Sequence, residues 1–250
     1  MRVLVLGGSA EASELAACLA TEPAFNPTLS LAGRTRHPIT PPIPYRIGGF
    51  GGSEGLAAYL MKEKVDFLVD ATHPFAEQIS ANAVIAARQT GTPLIVFTRS
   101  PWTPQEGDRW TECADFSAAA KALGATPLRV LLTIGRLQLG AFESAPQHDY
   151  VIRTIDPPEL LPNLPRKSFL FARGPFTLAD EIRLMVEEKI DVLVSKNSGG
   201  DAARAKLDAA RALNLKVILV RRPRTPQAAI FYTLEETMIC LRKNLHRDNP

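Results

Sequence analysis

Short apolar runs with no polar alternation recur along this chain, and longer stretches with a helical period separate them. No other feature constrains the fold as much. A strand that is apolar on both faces, such as Phe67-Leu68-Val69, needs cover on both sides, and helices packed on a parallel sheet provide it. Ala12, Leu15, Ala16 and Leu19 have the i, i+3, i+4, i+7 spacing of a buried helical stripe. In the first half the pattern predicts strands over 3–6, 28–32, 66–70 and 94–97, with helices over 10–20, 54–62 and 75–89. It stops at residues 100–108, SPWTPQEGD, where Pro, Gly and polar residues read as a crossover between domains. It then resumes with strands over 129–132, 150–155, 169–172, 191–194 and 217–220. The helices of this half fall at 115–123, 176–188 and 202–213, with a short one near 137–142.

The expected architecture is α/β, with two Rossmann-like doubly wound domains and mainly parallel sheets. The first spans residues 1–99 and the second 110–250, and a final helix over 234–245 can pack on either. A length of 250 residues accommodates two small domains, and 46% hydrophobic residues suffice for their cores.

Composition excludes several classes of function. The net charge of +3 comes from 29 basic and 26 acidic residues without a like-charge run, unlike a nucleic-acid surface. Cys18, Cys113 and Cys240 are single and far apart, and His37, His73, His148 and His246 are scattered, so neither a disulfide framework nor a metal site is expected. The opening apolar run over 3–6 is too short for a signal sequence or a membrane span. A cytoplasmic protein without a membrane partner is expected, as a monomer or small homo-oligomer.

In doubly wound sheets, ligands bind beyond the carboxyl ends of the strands, so the strand-to-helix turns are where chemistry is sought. The first turn reads Gly7-Gly8-Ser9-Ala10-Glu11-Ala12. A phosphate on a helix N-terminus needs backbone N–H groups and no obstructing side chain, which glycine supplies. The match to G-x-G-x-x-G is imperfect, because Ser9 stands for the second glycine and Ala12 for the third. NAD-specific folds place a carboxylate at the end of the second strand, whereas this chain has Gly33-Arg34-Thr35-Arg36 there. Guanidinium groups fork onto phosphate, so Arg34, Thr35 and Arg36 read as a 2′-phosphate site and the cofactor as NADPH/NADP. The Gly48-Gly49-Phe50-Gly51-Gly52 segment could close over a planar ligand, although a flexible loop would look the same.

Asp70-Ala71-Thr72-His73-Pro74 ends another strand. Pro74 fits a first helical turn, which presents Thr72 and His73 at the ligand edge. His73 is the catalytic candidate, with a cap or packed polar group as the alternative, and the proton donor stays unnamed. In the second half, Ser195-Lys196-Asn197-Ser198-Gly199-Gly200 gathers a cation, hydroxyls, an amide and two glycines into an anion-type turn. Arg136 and Arg173 end neighbouring strands and join it as candidate substrate contacts. There is no P-loop, no Tyr with a Lys four residues later and no G-x-S-x-G elbow.

Taken in order, GGSAEA at Gly7, LAGRT at Leu31, GGFGG at Gly48, DATHPFA at Asp70, residues 101–110, RGPFTL at Arg173, SKNSGG at Ser195, KLDAAR at Lys206 and RRP at Arg221 resemble the precorrin-6A reductase family. The resemblance runs through nearly the whole length and implies NADPH-dependent reduction of a tetrapyrrole double bond, giving precorrin-6B in cobalamin biosynthesis. It also implies that the protein needs no metal. Two alternatives stay open: the cobalt-precorrin-6A reductase of the anaerobic pathway, and a non-catalytic NADP-binding sensor or regulatory protein.

Overall fold

The structure, a computed structural model, describes residues 1–33, 40–223 and 227–245. The chain forms two units, Met1–Ser100 with Pro223–Pro250, and Pro101–Arg222. The sequence carried the second domain to residue 250 and left the final helix able to pack on either domain. Instead, the chain returns to the first unit at Pro223 and adds a strand and the final helix there.

The first unit contains β1 (Arg2–Leu6), α1 (Ala10–Leu19), β2 (Asn26–Leu31), β3 (Tyr45–Ile47), α2 (Ser53–Lys62), β4 (Phe67–Asp70), α3 (Glu77–Thr90) and β5 (Leu94–Phe97). After the second unit come β12 (Ala229–Phe231) and α7 (Leu234–Leu245). The sheet runs β3-β2-β1-β4-β5-β12 with every pair parallel, which is the order 3-2-1-4-5-6 in the unit's own count. The two-residue period of a strand divides the core. Val3 and Val5 of β1 pack with Leu15 and Leu19 of α1 and with Met238 and Leu241 of α7. Leu4 and Leu6 face Leu56 and Leu60 of α2 and Ala83, Ala86 and Ala87 of α3. Both faces are therefore covered, and all four residues of β4 are buried.

The second unit comprises β6 (Trp110–Cys113), α4 (Phe116–Ala122), β7 (Arg129–Thr133), a 3₁₀ helix (Arg136–Ser144), β8 (Asp149–Thr154), β9 (Lys167–Phe171), α5 (Leu178–Glu187), β10 (Val192–Lys196), α6 (Ala205–Ala212) and β11 (Lys216–Val220). Its sheet, β9-β8-β7-β10-β11-β6, is also parallel throughout. Leu131, Leu193, Val217 and Leu219 form one core with Met185 of α5 and Leu207 of α6. Strands β7 to β11 repeat the 3-2-1-4-5 order, and β6, which precedes them in the chain, takes the sixth place.

Winding reverses between β1 and β4 in the first unit and between β7 and β10 in the second. A crevice for ligands opens at such a switch point, beyond the carboxyl ends of its two central strands. Among the described residues no helix is long and apolar enough to cross a membrane. None of them form a group of three or more His, Cys, Asp or Glu placed to hold a metal ion.

Candidate functional site

In the first unit, the switch point lies between the turn after β1 and the turn after β4. Gly7 N–H donates to Ser30 O of β2 at 2.9 Å, which continues the ladder one residue past β1. A Cβ on Gly7 would lie 2.6 Å from Leu29 Cδ1, so any larger residue there would have to displace the buried Leu29 side chain. Gly8 has φ +111°, and a Cβ on it would meet nothing within 4 Å among the described residues. Its backbone is thus bare on the side where a ligand would approach. Ser9 caps α1, accepting from Ala12 N at 3.1 Å, and its hydroxyl donates to Ala71 O at 2.6 Å. One side chain thereby joins the two turns of the switch point. The Ala10 and Glu11 amides lie in the first helical turn, where no intrahelical acceptor exists and the helix dipole is positive. The Glu11 carboxylate pairs with Arg99 at 3.2 Å, which occupies that side chain with a structural contact.

After β4, the buried carboxylate of Asp70 shapes the turn. Its Oδ1 accepts from Thr72 N at 3.0 Å and from Thr72 Oγ1 at 2.7 Å. His73 Nδ1 accepts from Phe75 N at 3.1 Å, so a neutral imidazole carries its proton on Nε2. Pro74 does not open the helix as the sequence suggested. Residues 73–76 form a separate turn, closed by Ala76 N donating to His73 O at 2.7 Å, and α3 starts at Glu77. Proline's fixed φ suits the second position of that turn as well as a first helical turn. Thr98, just past β5, is buried with an Oγ1 that has no hydrogen-bond partner among the described residues. No motif announces it.

Arg34, Thr35 and Arg36 lie outside the described residues. Near the end of β2, Arg46 donates to Ser30 Oγ at 2.7 Å, to Gly48 O at 2.8 Å and to Gly49 O at 3.0 Å. Its guanidinium stacks 4.0 Å over the Phe50 ring. The glycine-rich segment is therefore held at its start by one arginine from β3.

In the second unit, β10 delivers Lys196 to the switch point opposite Gly135, the residue that follows β7 and Ile134. Nζ of Lys196 lies 3.6 Å from the place a Gly135 Cβ would take. Burial pushes the ammonium down to about 8. Ser195 is buried, and its hydroxyl donates to Lys196 O at 3.2 Å. The Asn197 amide is engaged on both sides by the backbone of Trp102, so that side chain braces the turn from within. Gly199 and Gly200 have φ near +70° (70° and 72°), conformations that favour glycine.

Arg136 opens the 3₁₀ helix after β7 and donates to Pro157 O at 3.4 Å, and Arg173 is exposed just after β9. Beside them, three neighbouring strand ends leave large apolar side chains uncovered: Leu137 after β7, Ile155 after β8 and Phe171 at the end of β9, at 68%, 54% and 56% exposure. Thr154 Oγ1, at the end of β8, is buried without a partner among the described residues. This edge combines cations with an apolar surface, which suits a large, flat ligand bearing carboxylates. Sequence reading found the cations. It missed the apolar residues, because burial alone shows that they are uncovered.

The first crevice fits a dinucleotide on the structure's own terms: the open space over Gly8 and the first-turn amides of α1 suit a pyrophosphate. Residues 2–242 match the family model described as precorrin-6x reductase CbiJ/CobK. The chain is 52% identical over 237 residues to the precorrin-6A reductase of Rhodobacter capsulatus, covering 95% of this chain and 94% of that one. It is 50% identical to the precorrin-6A reductase of Rhodococcus erythropolis, covering 91% of each. A cobalt-precorrin-6A reductase of Priestia megaterium is 29% identical, over 75% of this chain and 77% of its own. Among solved structures, CobK precorrin-6A reductase superposes with a TM-score of 0.91 at 51% identity, covering 98% of this chain and 97% of that one. The ordered turns, the two parallel sheets and these matches lead to one assignment: the chain belongs to the precorrin-6x reductase CbiJ/CobK family.

Proposed function

We propose that this chain is a precorrin-6A reductase of cobalamin biosynthesis that uses NADPH and forms precorrin-6B. The observation that carries this reading is the Gly7-Gly8-Ser9 turn at the switch point of a 3-2-1-4-5-6 sheet, in a chain half identical to proteins of that name. The backbone of Gly8 and the amides of Ala10 and Glu11 would hold the pyrophosphate, and Ser9 would fix that turn against Ala71. Arg34, Thr35 and Arg36 would receive the 2′-phosphate, since a guanidinium pairs with it bidentately and no carboxylate competes for the ribose. Bound NADPH supplies the hydride, and the conjugated macrocycle accepts it.

The chain's own residues then orient and exclude. Thr72, locked by Asp70, and His73, whose Nδ1 accepts from Phe75 N, would border the nicotinamide end of the first crevice. His73 is the residue proposed to hold a proton there. In the second unit Arg136, Arg173 and Lys196 would pair with substrate carboxylates, with the backbone of Gly199 and Gly200 adding donors while Ser198 N–H closes the turn onto Lys196 O. Leu137, Ile155 and Phe171 would lie against the ring. Ser195 and Asn197 would support the turn from behind.

The test is an anaerobic assay of purified protein with NADPH and precorrin-6A that follows the nicotinamide band and the macrocycle spectrum together. One NADPH lost per two-electron-reduced macrocycle supports the proposal. Turnover only with the cobalt-containing substrate would move the chain to the reaction named for its 29%-identical relative. A bound but unreduced ring would leave a binding protein.

A further inference from the structure

The chain passes between its units twice, at Ser100–Pro101 and at Arg222–Pro223, and both passages are fastened to the same turn. Beside the first passage, Trp102 N donates to Asn197 Oδ1 at 2.8 Å, and Asn197 Nδ2 donates to Trp102 O at 2.9 Å. The indole Nε1 donates to Gly200 O at 2.8 Å. At the second, Arg222 donates through Nε to Asn197 O at 3.0 Å and through Nη2 to Ser198 O at 2.8 Å. Asn197 N donates in turn to Val220 O at 2.8 Å. Trp102 and Asn197 are each 5% exposed, so replacing this set with water is not available.

In a trans peptide the C=O of one residue and the N–H of the next point in opposite directions. Trp102 and Arg222 draw the carbonyls of Asn197, Ser198 and Gly200 to themselves. The N–H groups of Ser198, Gly199 and Asp201 are thereby turned away from the clasp. Ser198 N–H is used within the turn, donating to Lys196 O at 2.7 Å. Gly199 and Asp201, three and five residues after Lys196, keep N–H groups turned away from these bonds, in the turn that follows β10 at the switch point.

We propose that Trp102, Asn197 and Arg222 are positioning residues: they aim the Gly199 and Asp201 amides at an anionic group of the substrate, and they carry occupancy of that turn to both passages. The proposal rests on reading the turn as a substrate site. The ligand is a carboxylate on a macrocycle, held by two backbone donors and an ammonium.

The test uses the full chain and uroporphyrin, a polycarboxylate tetrapyrrole, as the binding probe. Hydrogen exchange in the wild type with saturating uroporphyrin should slow at Gly199 and Asp201, and in parallel at residues 102–103 and 221–222. In Trp102→Phe, which keeps a ring but loses the bond to Gly200 O, uroporphyrin affinity should fall about fivefold to tenfold, the worth of one such hydrogen bond. NADPH affinity should be unchanged. Arg222→Lys, which cannot reach both carbonyls in the forked manner, should act in the same direction. With precorrin-6A, both variants should raise KM more than they lower kcat. Slowed exchange at the turn without any change at the passages would overturn the coupling. Unchanged affinity in both variants, or equal losses for uroporphyrin and NADPH, would overturn the positioning role. A wild type that binds uroporphyrin with these exchange changes but leaves precorrin-6A unreduced would refute the proposed reaction while upholding this inference.

Discussion

Adjacent glycines of the first turn answer to different forces. Gly7 is crowded by its neighbour Leu29, whereas Gly8 has room for a side chain among the described residues and is set apart by its φ of +111°. A motif search treats them alike. The same distinction runs through the other site residues. Ser9, Glu11, Thr72 and Asn197 were read from the sequence as ligand contacts, and the structure gives the side chain of each a partner within its own unit. What remains for a ligand is backbone N–H, which one-letter codes do not display. Arg34 and Lys196 are the residues proposed to meet a ligand with charge. Replacing Arg34 by Ala should weaken NADPH by roughly 10- to 100-fold, since a charge-assisted hydrogen bond contributes about 1.5–3 kcal/mol. NADH, lacking the 2′-phosphate, should bind as before, and titrating both cofactors against the variant checks the assignment. Equal losses would remove it. Lys196 makes a pH prediction whose sign is set by desolvation. Its ammonium is held down to about 8, so raising pH through that value neutralises it and weakens an anion at the turn. Uroporphyrin affinity should therefore decline between about pH 7 and pH 9 in the wild type. In Lys196→Arg it should stay level, because guanidinium does not titrate there.

Elements were legible wherever both faces of a strand are covered. The central strands β1, β4, β7, β10 and β11 are continuous apolar runs because helices enclose them, and the sequence placed each to within about two residues. The strands that it did not place, β3, β6 and β12, share a physical cause. All three are edge strands with a single neighbour and only three or four residues long, unlike the longer edge strand β9, which the sequence did place. Tyr45 and Ile47 of β3 are 46% and 55% exposed, so no apolar run marks them. The loop after β9 likewise depends on a contact that no local pattern reveals. Arg153 of β8 makes a two-point pair with Glu181 of α5 at 2.9 and 2.8 Å, and its guanidinium lies 4.2 Å from the Phe176 ring. Both charges are buried, and the ring they hold sits three residues past Arg173. Glu181→Gln should leave Arg153 underpaired and cost about 3–5 kcal/mol of stability. Arg153→Met combined with Glu181→Met should recover most of it. Urea denaturation of the three variants checks this, and additive losses in the double variant would mean that the pair is not coupled.

At the scale of the whole molecule, the two units differ in how they are assembled from the chain. Pro101–Arg222 is continuous and contains all six strands of its sheet. The other unit depends on residues beyond Pro223: β12 completes its sheet beside β5, and α7 places Met238 and Leu241, 3% and 0% exposed, in the core against α1. Burying two such side chains is worth about 1.5–3 kcal/mol each, and a domain of this size has only about 5–15 kcal/mol in total. A fragment ending at Ser100 would lose that burial and also leave β5 as a bare apolar edge, open to pairing with other chains. Residues 101–222 expressed alone should therefore melt cooperatively as a monomer. Residues 1–100 alone should aggregate or bind a hydrophobic dye, and joining them to 223–250 through a flexible Gly/Ser linker should restore a cooperative melt. Circular dichroism melts with light scattering distinguish these outcomes. A soluble, cooperative fragment 1–100 would show that the returning segment is an attachment to this unit and not a part of its fold. In that event NADPH binding by the fragment could be measured without β12 or α7. Failure of 101–222 to fold would mean that its continuous sheet still needs the other unit for stability.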